Sequence, residues 1–303
     1  MKYRFVIYVM LLAFSSTSCI SNRVESVEPC IDLVFDVVVT ASTKNGEAVT
    51  EYPVDVPFGV WSYSLPADKT WSSDSEEALP VQVQEKVEYD SSSNLWKPQS
   101  NMEWLDSEND MSFFAYSPYS VACSFSKEHG LAVADFSIDE GCDLMFSESV
   151  YDLNKMTSNG IVSIPFVRAL TKVELQIRSS LPDGTIIKVK QLRIKDIATK
   201  ADFFSLPYAR WENLEERCDI LFYDGEMEID NEPLLAGEGR YMIPQMTMPV
   251  IEMVCDIMSD EHVLHDQLFQ TSGRMNWGIG KTCTYNLKVT TDLEFIIESS
   301  LYE

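Results

Sequence analysis

The chain has 303 residues, with 48 acidic and 23 basic side chains and a formal charge of −25. Such a surface repels phosphates and anionic lipid head groups, which argues against nucleic acid as a partner. No stretch beyond Cys19 approaches the roughly 20 apolar residues of a membrane-spanning helix, so the body reads as a soluble globule with room for two ordinary domains.

The first element is a leader. Lys2 and Arg4 precede the apolar run Phe5 to Phe14, and Ser15 to Ser18 lead into Cys19, the charged, apolar, small-residue order of a secretory signal. Ser16-Thr17-Ser18-Cys19 resembles a bacterial lipobox, departing from it in Ser16, where Leu is usual. A signal peptide over residues 1–18 and lipid attachment at Cys19 are therefore expected. Such an anchor holds the body at a membrane with about 0.8 kcal/mol per buried methylene. Removing Lys2 and Arg4 with the leader leaves 21 basic against 48 acidic residues, a mature charge of −27.

Beyond the leader, apolar and polar residues alternate with period two, broken by Pro, Gly, Asp and Asn, and little reads as helix. Ile31, Leu33, Phe35, Val37 and Val39 share one face of a first strand, with Asp32 and Asp36 on the other. Thr40 to Thr50 reads as an exposed loop. Strands follow at Phe58 to Tyr63, Val81 to Tyr89, Met111 to Tyr116 and Asp143 to Phe146, with a polar excursion from Leu65 to Ala78. Asp152 to Gly160 lacks a strand pattern and suits a linker. Long strands are expected at Val162 to Arg178 and Thr185 to Ile197, separated by the turn Leu181-Pro-Asp-Gly184. Shorter ones follow at Asp219 to Tyr223, Gly239 to Pro244, Val250 to Met258 and His265 to Gln270, and the chain closes with Lys281 to Thr290 and Leu293 to Leu301. Many short strands without helical periods imply an all-β protein built of β-sandwiches. The linker divides it into an N-terminal domain, residues 19–160, and a C-terminal domain, residues 161–303.

The two terminal strands are alike in kind. In the last one Leu293, Phe295, Ile297 and Leu301 face one way, against Asp292, Glu294 and Glu298. One-sided strands of this sort at a sheet edge are aggregation hazards unless paired or covered.

Signals for enzymatic or metal chemistry are weak. His262 and His265 are three apart, which on a strand means opposite faces, and the six cysteines other than Cys19 show no CxxC spacing. Their pairing is left open between disulfides, which export permits, and buried thiols. Asp106 to Asp110 lacks the glycine and terminal glutamate of a calcium loop. Gly237-Glu-Gly239 and Gly278-Ile-Gly280 lack the rest of a dinucleotide fingerprint. No cofactor, metal or catalytic residue is expected. Of Trp61, Trp71, Trp96, Trp104, Trp211 and Trp277, Trp71 lies in a loop and is the best candidate to stack on a sugar. The alternative function is thus a surface glycan-binding lipoprotein using exposed tryptophans.

Several segments, in order along nearly the whole mature chain, resemble the fimbrillin and major-fimbria-like lipoproteins of Bacteroides-type bacteria. They are Phe58-Gly-Val-Trp-Ser-Tyr63, Trp96-Lys-Pro98 with Trp104, Phe113-Phe-Ala-Tyr-Ser-Pro-Tyr119, Asp143-Leu-Met145 and Phe166-Val-Arg-Ala-Leu-Thr-Lys-Val173. Tyr241-Met-Ile-Pro-Gln245 and Trp277-Gly-Ile-Gly-Lys-Thr-Cys-Thr-Tyr285 complete the series. The family often has His at the place of Arg168. The resemblance implies two tandem transthyretin-like, Greek-key β-sandwiches and a fimbrial subunit or fimbria-associated adhesin held at the cell outer membrane.

It also implies an assembly route. A trypsin-like protease cuts after the first strand, that strand (Ile31, Leu33, Phe35, Val37, Val39) is displaced, and the C-terminal strand of another subunit (Leu293, Phe295, Ile297, Leu301) fills the groove by strand addition. Lys44 is the only basic residue between Arg23 and Lys69 and stands where the family loop would be cut, although Arg is usual there. The partners so implied are other fimbrial subunits, the protease, the outer membrane through the lipid, and a host or glycan ligand.

Overall fold

The structure, a computed structural model, describes residues 31–43, 46–50, 52–100, 102–138, 141–148, 150–260 and 262–302. It is nearly all β. The first half of the chain forms β1 (Val34–Thr43), β2 (Gly46–Thr50), β3 (Phe58–Pro66), one short helix α1 (Trp71–Asp74), β4 (Leu79–Asp90), β5 (Leu95–Pro98) and β6 (Asn109–Ser117). These are followed by β7 (Ser124–Ser126), β8 (Gly130–Ser137), β9 (Met145–Ser147), β10 (Val150–Leu153) and β11 (Ile161–Arg168). Among the described residues no helix is long and apolar enough to cross a membrane.

In the first sheet β6, β3, β4, β5, β1, β11 and β9 lie side by side in that order. The last returns to the first through Tyr116↔Phe146 and Ser117↔Met145, so the sandwich is closed at this edge like a barrel. Its interior holds Leu33, Phe35, Phe58, Val60, Trp96, Phe113, Ile164 and Phe166. The outer sides of β3 and β6 are buried as well. There Trp61, Leu65, Phe114 and Tyr116 pack beneath Leu131, Val133 and Phe136 of β8. Burial on both faces is why Met111 to Tyr116 is apolar without alternation.

The second half forms β12 (Thr171–Ser179), β13 (Ile186–Phe204), β14 (Arg210–Ile229), β15 (Leu234–Leu235), β16 (Arg240–Met242) and β17 (Met246–Thr247). It ends with β18 (Val250–Met258), β19 (Val263–Ser272), β20 (Met275–Asn276), β21 (Thr282–Val289) and β22 (Phe295–Tyr302). One sheet runs β15-β12-β21-β22, and the other places β19, β18 and β13 in line with β14 on the far side of β13. Alternating side chains of both sheets, among them Val173, Leu175, Leu192, Met253, Tyr285 and Leu287, meet in a common core.

β13 joins the two bodies. Its first part, from Ile186 to Ile194, pairs with β18, and its last part, from Lys200 to Phe204, pairs with β8. β14 accompanies it over its whole length. At about 3.3 Å per residue this hairpin is about 60 Å long, and Ala201 and Phe203 at its far end enter the core under β3 and β6.

Three expectations are corrected. Val162 to Arg178 is not one strand, because Ala169 and Leu170, both buried, turn the chain from β11, parallel to β1, into β12, parallel to β21. Thr40 to Thr50 is not a loop but the β1–β2 hairpin, paired from Val39↔Thr50 to Thr43↔Gly46. An Asn-Gly dipeptide between β-compatible residues is a hairpin signal. The strand expected at Asp219 to Tyr223 extends over Arg210–Ile229. From Glu212 to Asp219 it is exposed on both faces, so alternation could not announce it.

The close approach of β3 to β6 is built on Gly59. A Cβ there would stand 2.0 Å from Cε1 of Tyr116, a ring that is itself buried. Gly59→Ala is expected to lower stability by about 1–3 kcal/mol through overpacking, read as a lower thermal midpoint with an unchanged far-ultraviolet spectrum.

Candidate assembly interface

β1 is an interior strand. On one side it runs parallel to β11, from Val34↔Ile161 to Thr40↔Val167. On the other it meets β5 at Phe35↔Trp96, β2 beyond Val39, and the segment after β5, where Leu33 N donates to Met102 O at 2.8 Å and Trp104 N to Ile31 O at 2.9 Å. Leu33, Phe35 and Val39 are 1%, 0% and 1% exposed, Ile31 and Val37 are half-buried, and Asp36 faces out. The alternation expected of this strand holds. Burial of the three enclosed side chains contributes on the order of 5–9 kcal/mol in transfer terms.

Lys44 and Cys19 lie outside the described residues. The neighbours Thr43 and Gly46 form the last described pair of the β1–β2 ladder.

β22 is the edge strand of its sheet, antiparallel to β21. The four apolar residues of the tail do not share a face as the sequence suggested. Phe295 and Ile297 lie opposite Val289 and Leu287 and turn inward. A register shift at Asn286/Leu287 then leaves Glu298 as the extra residue on the tail, so Leu301 falls opposite Thr284, on the outer face. Leu293 precedes the strand in the turn, at φ 59. Leu293 and Leu301 are 46% and 43% exposed.

Glu298, the bulged residue, is also the clamp. Arg178 donates to it from Nε at 3.0 Å and from Nη2 at 2.5 Å, and Lys288 Nζ lies 3.5 Å away. The guanidinium holds the Glu298 carboxyl below the usual glutamate range. A two-pronged pair of this kind fixes geometry better than a single-point contact, and it ties the tail to β12.

The tryptophan expectation is overturned. Trp71 opens α1 rather than a loop and is only 5% exposed. It stacks on Tyr151 at 5.9 Å while its backbone N–H donates to Asp152 at 2.9 Å. Trp61, Trp96, Trp104 and Trp277 are also buried, and Trp211 is half-buried with its indole N–H on Ala169 O. Among the described residues no tryptophan offers a free ring for sugar stacking. Cys123, Cys142, Cys218, Cys255 and Cys283 form no disulfide among the described residues. Burial pushes the thiols of Cys123 and Cys255 up to about 12 and that of Cys283 up to about 11, which makes them core groups rather than nucleophiles.

The family described as fimbrillin-like matches residues 39–301. The fold is also that of solved structures of low identity. A fimbrial protein from Bacteroides vulgatus superposes with a TM-score of 0.68 at 15% identity, covering 90% of this chain and 99% of that one. Candidate cell adhesion proteins from Bacteroides ovatus and Bacteroides uniformis superpose with TM-scores of 0.55 and 0.54 at 13% and 15% identity. The alignments cover 91% and 90% of this chain and 98% of each of those. No curated protein matches the chain.

The Glu298 clamp makes tail docking acid-sensitive. Because the folded carboxyl titrates below its unfolded value, its contribution is present above about pH 4.5 and is lost as pH falls through the folded pKa. Hydrogen exchange at the amides of Phe295 to Leu301, corrected for intrinsic rates, should accelerate below about pH 4.5 more than exchange at the β12–β21 ladder. Glu298→Gln should show the fast behaviour already at neutral pH.

Proposed function

Since this chain belongs to the fimbrillin-like family, we propose that it is a subunit or adhesin of a fimbria, anchored to the outer membrane by lipid on Cys19 and assembled by exchange of terminal strands. The observation that carries this reading is the position of β1. It fills the interior of a closed sheet with Leu33, Phe35 and Val39, yet its covalent link to the remainder of the chain downstream runs through Lys44 and Asn45.

Cleavage after Lys44 leaves β1 held by ladder bonds and apolar contact alone. Its departure opens a groove between β11 and β5, lined by Phe58, Phe113, Ile164 and Phe166. Exposed backbone groups on both walls then demand a replacement strand, since buried unpaired N–H and C=O groups are costly. Residues 19–160 provide most of that groove, and residues 161–303 provide its β11 wall and the tail that fills it. The edge strand β22 is paired on one side only, and in this reading it is the element that leaves, drawing Phe295 and Ile297 out of the second core. Ladder bonds set affinity and alternate side chains set register. The chain acts by shape and adhesion rather than by catalysis.

The test is digestion of purified precursor with trypsin, followed by N-terminal sequencing and electron microscopy. A new N-terminus at Asn45 with loss of residues 31–43 and appearance of filaments is expected. Lys44→Ala should remain monomeric under the same treatment, and filaments formed by that variant would overturn the processing step.

A further inference from the structure

The tip of the β13–β14 hairpin and the wall of the first body border a cleft of about 480 Å³. That volume lies within the range of small-ligand sites, roughly 300–1,000 Å³. Ser205 to Ala209 of the tip form one side, and residues of β9, β10 and β11 form the other. The tip is fixed in place, because Ser205 N and Leu206 N donate to Leu131 O and His129 O at 2.9 Å each. None of the lining residues belongs to β1 or β22.

Tyr208, at the cleft mouth, is the one exposed aromatic ring among the described residues, at 69%. Single apolar side chains in water are ordinary, but this one is held. The Arg210 guanidinium lies 5.8 Å from its centroid and 4.9 Å from that of Phe204. Arg210 in turn donates from Nε to Glu212 at 2.7 Å and from Nη1 to Leu206 O. The cation is thus fully engaged, and it fixes the ring before any ligand arrives. Two hydroxyls of the cleft are fixed as well. Ser147 Oγ accepts the Ala115 N–H and Ser205 Oγ the Leu131 N–H, each at 2.8 Å, and each keeps its own proton to donate. Glu148, exposed in the same cleft, pairs with no cation among the described residues and stays an acceptor.

We propose that this cleft binds a neutral pyranose, the terminal sugar of a glycan, packed on the open face of Tyr208 with its hydroxyls shared among Glu148, Ser147 and Ser205. A pyranose has an apolar C–H face and a rim of hydroxyls that both donate and accept. A held ring beside one acceptor and two donors answers both. Charge narrows the class further. No Lys or Arg lines the cleft among the described residues, and the unpaired Glu148 repels a sialic acid carboxylate or a sulfate. A proline-rich peptide, the other common guest of aromatic surfaces, docks along a groove of several rings. Here the second ring, Tyr151, has one face taken by Trp71 at 5.9 Å. Within the fibre proposed above the site recurs once per copy, so weak single sites act together. Binding by one chain does not rest on that assembly.

The test uses the whole chain without protease, so its outcome is independent of cleavage and assembly. Labelled protein is applied to an array of glycans ending in galactose, glucose, mannose or N-acetylhexosamine, beside sialylated and sulfated ones. The methyl glycoside of the bound sugar, and separately a polyproline peptide, are then titrated into the parent, Tyr208→Ala, Tyr208→Phe and Glu148→Gln. Binding confined to neutral ends is expected, weakened about tenfold by Tyr208→Ala, several-fold by Glu148→Gln, and retained by Tyr208→Phe. Because Tyr208 is exposed, the thermal midpoint of Tyr208→Ala should stay within about 2 °C of the parent. Absence of binding to every neutral glycan, or equal binding by Tyr208→Ala, overturns the site. Preference for sialylated or sulfated ends overturns the ligand class, and so does Tyr208-dependent binding of polyproline without binding of sugar.

Discussion

The first sheet is closed only while a strand occupies the place of β1. Its two neighbours each spend hydrogen-bonding groups on it, and its Phe35 ring packs edge-on against Phe58 and Phe113 in the core beneath. Backbone pairing and apolar enclosure therefore demand the same thing at the same place, an extended segment with large apolar residues on alternate positions. A segment of that description satisfies the demand whether or not it belongs to the same molecule.

The remaining edges are managed differently. The outer side of β14 carries Glu212, Glu215, Glu216, Arg217 and Asp219 on an exposed, bulged strand, and inserted charge and bulges are the usual defence against unwanted pairing. The formal charge of −25 adds a general repulsion between copies. At physiological ionic strength that repulsion fades beyond about 8 Å. Contact then depends on matching strands rather than on the overall field. The edge β22 is treated differently again, carrying the Arg178–Glu298 ion pair with Lys288 beside it.

Much of this was legible in the sequence. The alternation of Leu33, Phe35 and Val39 against Asp36, and the bounds of β18 at Val250 and Met258, follow from period two alone. What escaped were features set by partners distant in sequence. Nothing local distinguishes Ile161–Arg168 from Thr171–Ser179, which pair in parallel with strands of different sheets. Trp71 looked free because it follows Lys69-Thr70, but its cover, Tyr151 and Phe114, comes from β10 and β6. The bulge at Glu298 is a disagreement in length between two strands, and one strand alone does not reveal it.

The long β13–β14 hairpin has a mechanical consequence. If copies were joined by the proposed strand exchange and pulled, tension would enter one body through the strand in its groove and leave through its own tail. Between these points the load crosses from the first body to the second along a ribbon whose two ends are sunk in different cores. Force directed along strands loads many ladder bonds at once instead of unzipping them singly. In such a fibre the hairpin would be a stiff link, and a sequence change in its buried end, at Ala201 or Phe203, would soften the whole without touching either joint.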